Sequence, residues 1–255
     1  MSTKQPSMRS STRYCVFCGT TPLTLEHNPP QWINEFCSDL DHGGTTTFFT
    51  DRSRTHPRGA SHTVAATAGR VVCGRCNNGW MSNLENAVKP VLGPMTQGHG
   101  TRLTKERQGV LAEWLIKSSL VHAAVTSWQN TTRFGAAFAR FHELRDAILP
   151  WFVFVAAHGG KETEYTRQYF ASYLEGSSKE QRQFPAYAYA IVIGHFVGAV
   201  TYSGDVTFPV PPPPLERIAP ARAVFIWPRG RYMTLQDIEV LGTGPSAEEF
   251  AGLLR

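Results

Sequence analysis

Apolar positions fall into a regular rhythm after residue 100. Val110, Leu111, Trp114, Leu115, Leu120, Val121, Val125 and Trp128 recur at three- and four-residue spacing, which predicts a helix. Thr104 stands where an N-cap belongs, and Glu106 falls in the first turn, where a carboxylate opposes the helix dipole. A second helix is predicted with Phe134, Phe138, Phe141 and Ile148 on one face and Pro150 at its end. Aromatic residues at that spacing read as core rather than as a nucleotide-stacking surface. From Trp151 the period shortens to that of strands. WFVFVAAH is one, RAVFIWP another, and AYAYAIVI and FVGAVTYS flank Gly194-His195 as the arms of a hairpin. VPPPP at Val210 to Pro214 reads as a stiff connector, and SAEEFAGLLR as a short closing helix.

Before residue 100 the rhythm is weak. A short strand is expected at Leu23 to Leu25, and a helix through Trp80, Leu84 and Val88 that ends near Pro90. Between them, Asp39 to Ala68 is rich in Gly, Thr, Ser, Arg and His and reads as a long insertion. The chain therefore divides into a polar lead-in over residues 1–13, expected to be disordered, a module over 14–98, and an α+β domain over 101–255. No internal repeat is visible.

Composition narrows the class. The chain has 255 residues, 42% of them hydrophobic, enough for a substantial globular core. No apolar run reaches the ~18 residues of a membrane span. The nearest, Ala186 to Val200, is broken by Gly194, His195 and Gly198. The N-terminal MSTKQPSMRSSTR has no apolar signal-peptide core, so the expected location is the cytoplasm. Net charge is +5 and unevenly spread: Arg52, Arg54, Arg58, Arg70 and Arg75 face a single acid between Asp51 and Arg75. Such a stretch can neutralise phosphates, and Arg52, Arg54 and Arg58 are its candidate contacts to a nucleic acid; a solvated loop with scattered arginines is the plainer alternative.

The cysteines carry the chemistry. Cys15-x-x-Cys18 and Cys73-x-x-Cys76 form two pairs, separated by the 54 residues from Gly19 to Val72. In a chain without a secretory signal such pairs point to metal rather than disulfides. Each pair sets two thiolates on one tight turn, and two such turns close a tetrahedral four-thiolate site for structural Zn2+. Cys37 is left over and reads as an ordinary buried or partly buried thiol.

The segments CVFC, LEH-x-PP-x-W and CGRCNNGW, in this order, resemble the HNH endonuclease family in its four-cysteine form. The resemblance covers about 80 residues. It implies an N-terminal zinc-stapled ββα-metal module, a β-hairpin and helix wrapped around one divalent ion, followed here by an α+β domain with two helices and an antiparallel sheet. It implies that His27 is the general base, that Glu26 and Asn77 hold a catalytic Mg2+ or Mn2+, and that Cys15, Cys18, Cys73 and Cys76 ligate zinc. The residue types suit phosphodiester hydrolysis of DNA. A near-neutral imidazole deprotonates water, and an ion on one carboxylate and one amide oxygen keeps positions open for phosphate. On a strand, however, Glu26 and His27 point to opposite faces, so both serve one phosphate only where the backbone bends.

Three features depart from the family pattern. Ala68 stands where a bracing asparagine is usual, about five residues before the third cysteine, and Glu26 replaces the usual aspartate. No histidine lies on the helix after Asn77; Glu85, eight residues on, is roughly 12 Å along a helix axis and reads as a surface or supporting residue. His42, His56 and His62 read as solvated loop residues, and His158 and His195 as core or edge residues. The rival to a DNA endonuclease is a degenerate HNH-like zinc module that binds nucleic acid without cleaving it. A redox or metal-sensing role for the cysteines leaves His27 and Asn77 unexplained. An active site would gather the Glu26 carboxylate, the His27 ring and the Asn77 amide into one cleft. The C-terminal domain carries no motif; target reading, dimerisation and partner binding all suit it.

Overall fold

A computed structural model of the chain describes residues 13–37, 67–126, 135–144, 151–157, 165–175, 182–203, 223–227 and 238–240. The architecture is mixed helix and strand with small antiparallel sheets, as the α+β expectation requires. The 1–13 lead-in before Arg13, most of the Asp39–Ala68 insertion, Trp128, Phe134, Ile148, the VPPPP connector and the closing SAEEFAGLLR helix lie outside the described residues.

The first strand, β1 (Leu23–Asn28), stops ahead of Pro29 and Pro30, and a 3-10 turn follows at Gln31–Glu35. It pairs antiparallel with β2 (Thr67–Cys73), with a register shift between Thr24 and Leu25. Next come a single turn, α1 (Gly74–Cys76), a π-helical turn (Asn77–Met81) kinked at Gly79, and the long α2 (Ser82–Thr96). Thus α2 does not end near Pro90: it runs through Pro90 and Pro94. Each proline removes one backbone donor. What keeps the helix going is its buried face, Leu84, Val88, Val91, Leu92 and Met95. The 3-10 turn docks on that helix, with Phe36 directly over Gly93 and Lys89 Nζ 2.7 Å from the Glu35 carboxylate.

Helix α3 (Lys105–Thr126) starts as its sequence predicts, with the Thr104 carbonyl accepting from Gln108 N at 2.8 Å. It is not a surface helix with one apolar stripe, however. From Leu111 to Ala124 every residue except Glu113 is buried. A helix buried all round has partners on both sides. On one side lie the β1–β2 hairpin and α2; on the other lie strands of a five-stranded sheet. That sheet has the order β5 (Tyr165–Glu175), β6 (Arg182–Ile193), β7 (Phe196–Ser203), β4 (Trp151–Ala157), β8 (Ala223–Trp227), with antiparallel pairing throughout. A short β3 (Thr101–Leu103) pairs with β9 (Ile238–Val240).

Two glycines let α3 approach both partners. A Cβ on Gly69 of β2 would lie 2.9 Å from Val125, and one on Gly198 of β7 would lie 2.5 Å from Leu115. The β6–β7 turn at Gly194-His195 is fastened to the end of α2 by His195 N donating to Thr96 O at 2.9 Å. Helix α4 (Gly135–Leu144) buries Phe138 and Phe141, as its pattern predicts. Buried apolar side chains from Cys15 to Ile226 form one connected cluster, which crosses the expected boundary between residues 98 and 101. Among the described residues, no helix is long and apolar enough to cross a membrane.

Burying α3 also buries His122, whose ring lies 5.4 Å from that of Tyr189. Burial drives its pKa down from 6.5 to about 4. Between these values the unfolded chain binds the proton and the folded chain does not, so stability falls as pH is lowered across that window. The loss is on the order of 3 kcal/mol by pH 4. Urea unfolding of the parent and of His122→Phe at pH 7 and near pH 4 tests this, because contributions from other groups cancel in the comparison. The parent should lose more stability; parallel losses would show that His122 is not buried in its neutral form.

Candidate metal and nucleic-acid site

The cysteine pairs come together. Cys15 and Cys18 sit on a tight turn closed by Gly19 N donating to Cys15 O at 2.8 Å, and Val16 N donates to Val71 O of β2 at 3.0 Å. Cys73 ends β2 and Cys76 ends α1. All four sulfurs lie within 4.8 Å of one another, and Cys18 and Cys73 are 3.5 Å apart. That is far longer than a disulfide and close to the ~3.8 Å edge of a zinc–sulfur tetrahedron. Burial pushes the Cys15 and Cys76 thiols up. At Cys18 burial is outweighed by hydrogen bonds from Thr20 and Cys73, and the thiol falls to about 6. Four unoxidised thiols on two facing turns fit a zinc ion. Cys37 is buried and outside this cluster.

The cluster is also a junction. Phe17, inside the first cysteine turn, meets Trp80 edge-on at 5.2 Å and packs against Phe138 at 5.7 Å and Phe141 at 6.4 Å. His142 stacks beside Phe17, and its Nε2 lies 3.9 Å from Cys76 Sγ. The sulfur cluster therefore holds α4 as well as the hairpin.

Glu26, His27 and Asn77 are placed differently from one another. The register shift in β1 falls before Leu25, so residues 25 to 28 keep strict alternation. Glu26 and Asn28 point inward and are buried; Leu25 and His27 point outward. His27 Nε2 lies 3.2 Å from the amide nitrogen of Gln31 and sits opposite Ala68. Asn77 does not cap the helix that follows it. Its amide donates to Thr24 Oγ1 and to Leu25 O, both at 3.1 Å, and so braces the outer edge of β1.

Inside, the Glu26 carboxylate meets Lys117 of α3. Lys117 Nζ lies 3.2 Å from Glu26 Oε1 and 2.7 Å from Glu85 Oε1, and the lysine side chain has no exposure to solvent. Burial, reinforced by the Glu85 charge, holds the Glu26 carboxyl above the usual range despite Lys117. For Lys117, burial disfavours the charged form, but Glu85 and Glu26 outweigh it and the pKa is raised. Glu85 thus takes the supporting one of its two expected roles, as an ion-pair partner on the inner face of α2. Beside this group Asn28 donates to Ser118 O at 3.1 Å and meets the Tyr189 hydroxyl at 3.5 Å.

This arrangement does not fit a divalent ion shared by Glu26 and Asn77. Glu26 is buried with its carboxylate against Lys117 of α3, whereas the Asn77 side chain is bonded at Thr24 and Leu25 of β1. Glu26, His27 and Asn77 do not converge on one cleft. Sequence reasoning missed Lys117 and His142. Lys117 had a signal: it stands three residues after Trp114 and three before Leu120, on the stripe predicted to be buried. Arg52, Arg54, Arg58, His42, His56, His62 and His158 lie outside the described residues. Comparison with protein families, with curated proteins and with solved structures returns no match.

Cys76→Ser should release the metal and loosen α4 together with the hairpin, because a structural zinc site contributes directly to folding. Elemental analysis should find one zinc per chain in the parent and none in the variant. Trp80 emission should shift to the red as its packing against Phe17 and Phe141 opens. Zinc-free parent protein, purified without chelator, would reject the assignment.

Proposed function

We propose that the chain is a zinc-stapled HNH-like module that binds nucleic acid without cleaving it. The observation that carries this reading is the division of β1 into two faces. The outer face presents Leu25, His27, Ala68 and Arg70; Leu25 and Arg70 are paired across the hairpin, and Leu25 is 48% exposed. Arg75 lies exposed within the second cysteine turn, and Tyr14, 54% exposed, precedes the first. An exposed aromatic and aliphatic side chain set among arginines suits a nucleic-acid strand, whose phosphates need cations and whose bases stack. The inner face withholds Glu26 from any phosphate.

The endonuclease reading keeps one observation on its side. His27 lies on the outer face of β1, where a phosphate could reach it, although its Nε2 is 3.2 Å from the Gln31 amide nitrogen. Among the described residues this reading has no matching ion site beside His27, and for that reason it ranks second.

Plasmid, single-stranded DNA and RNA, each with Mg2+, Mn2+ or EDTA, separate the two. Retarded complexes should form at low salt and weaken as salt rises, with no nicks under any metal. Neutralising Arg52, Arg54, Arg58 and Arg70 together should weaken binding at every sequence and reduce the salt slope by about one unit for each phosphate left without its arginine. Nicking that requires Mg2+ or Mn2+ and drops by ~10²-fold or more in His27→Ala would restore the endonuclease. No binding to any of the three nucleic acids would remove both.

A further inference from the structure

We propose that Glu26 and Glu85 form a two-carboxylate cation cradle and that the chain's own Lys117 ammonium is its resident cation, in the place of a divalent ion. Three elements build it. Strand β1 turns Glu26 inward, the inner face of α2 presents Glu85, and α3 delivers Lys117 between them, 3.2 Å from one carboxylate and 2.7 Å from the other. The lysine side chain is fully buried, and the Glu26 and Glu85 side chains are 6% and 18% exposed.

Charge makes the assignment. Two buried carboxylates without a counter-ion repel one another and lose their hydration, so a site that holds both ionised requires a cation. Lysine and a small divalent ion meet that requirement in different ways. An ammonium sits about 2.7–2.9 Å from its oxygens; Mg2+ takes them at about 2.0–2.1 Å and keeps several water or phosphate ligands. The 2.7 Å contact to Glu85 is that of an ammonium and the 3.2 Å contact to Glu26 is longer still, both well beyond Mg2+ distances, and among the described residues only the Glu85 side of the group keeps any exposure. Lys117 therefore sets one fixed positive charge against the two carboxylates, where an exchangeable ion would come and go. The inference rests on the proposed function and deepens it, adding Lys117 to the strand alternation as a reason that binding would not be followed by hydrolysis.

The test uses full-length, zinc-loaded protein and Mn2+ as the probe, read by electron paramagnetic resonance and by the thermal transition. The parent should take up no Mn2+ at this position and show no Mn2+-dependent rise in Tm. Lys117→Ala should melt well below the parent without Mn2+, bind one Mn2+ per chain and regain part of the lost Tm. Glu26→Gln/Lys117→Ala should bind none. If Lys117→Ala does not fold alone, refolding with and without Mn2+ gives the same reading: recovery only with Mn2+ supports the cradle, and failure in both overturns it. Glu26→Gln/Lys117→Met, which removes charge while keeping much of the volume, should fold without Mn2+ and ignore it. Uptake of Mn2+ by the parent that is lost in Glu26→Gln would overturn the proposal, as would a folded Lys117→Ala indifferent to Mn2+. These outcomes do not depend on nucleic-acid binding. A parent that binds no nucleic acid but whose Lys117→Ala variant gains Mn2+ loses only the proposed function, and the reverse pattern loses only the cradle.

Discussion

A lysine ammonium with no access to water has to be met by carboxylates, and much of this molecule is arranged around that requirement. Lys117 lies near the middle of α3, the helix that the hairpin, α2 and the five-stranded sheet cover together. Burying it alone would favour the neutral amine; Glu85 and Glu26 reverse that balance. Breaking such a group by removing one partner costs about 3–5 kcal/mol, whereas replacing all of it with packed apolar residues is often neutral. Its structural effect is therefore registration more than net stability. Glu26 is met by Lys117 only if β1 keeps its inward alternation, and Glu85 only if α2 presents the face that carries Leu84 and Val88. A slip of one residue in β1 would turn His27 toward the ammonium, two like charges whenever the ring is protonated.

The sulfur cluster fixes the other end of the same arrangement. Cys73 and Cys76 follow directly on β2, so the zinc-type turn sets where α2 begins, and α2 carries Glu85. Phe17 and His142 extend the cluster to α4. The hairpin is thus held at one end by sulfur chemistry and at the other by the ion pair on α3, with Asn77 bracing its outer strand between them. Ala68 leaves the position opposite His27 without a polar side chain. Support for the β1 backbone comes from Asn77 on the neighbouring turn.

Local signals were legible wherever local physics decides. The cysteine pairs, the Thr104 start of α3, the aromatic face of α4 and the Gly194-His195 hairpin all follow from spacing over a few residues. Strand β5 did not, because Tyr165–Glu175 mixes charged, polar and aromatic residues and is held as a strand by pairing along β6. The three-residue β3 and β9 are too short to show a period. The continuation of α2 past Pro90 and Pro94 depends on burial against distant residues, including Phe36 over Gly93. For the site, the four-cysteine half was legible and the ion-pair half was not. The sequence places Glu26 and His27 side by side and leaves their faces to the backbone; the one irregularity that could have turned them together lies upstream, at Thr24/Leu25. Lys117 is 91 residues from Glu26, a pairing that helical period alone cannot announce.

The two faces of β1 therefore bear on function in opposite ways. A metal-dependent hydrolase needs its base and its ion on the same side of the phosphate, within a few ångströms of one another. With period two, adjacent residues on an unbent strand cannot provide this. Here the imidazole is outside, near Gln31, and the carboxylate is inside, against an ammonium. The same alternation puts Arg70 and Leu25 beside His27 on the outer face, a cation, an apolar surface and an imidazole in succession. Fixing the inner face with Lys117 holds that outer register in place without any ion, so the nucleic-acid binding proposed for this face would need neither Mg2+ nor Mn2+.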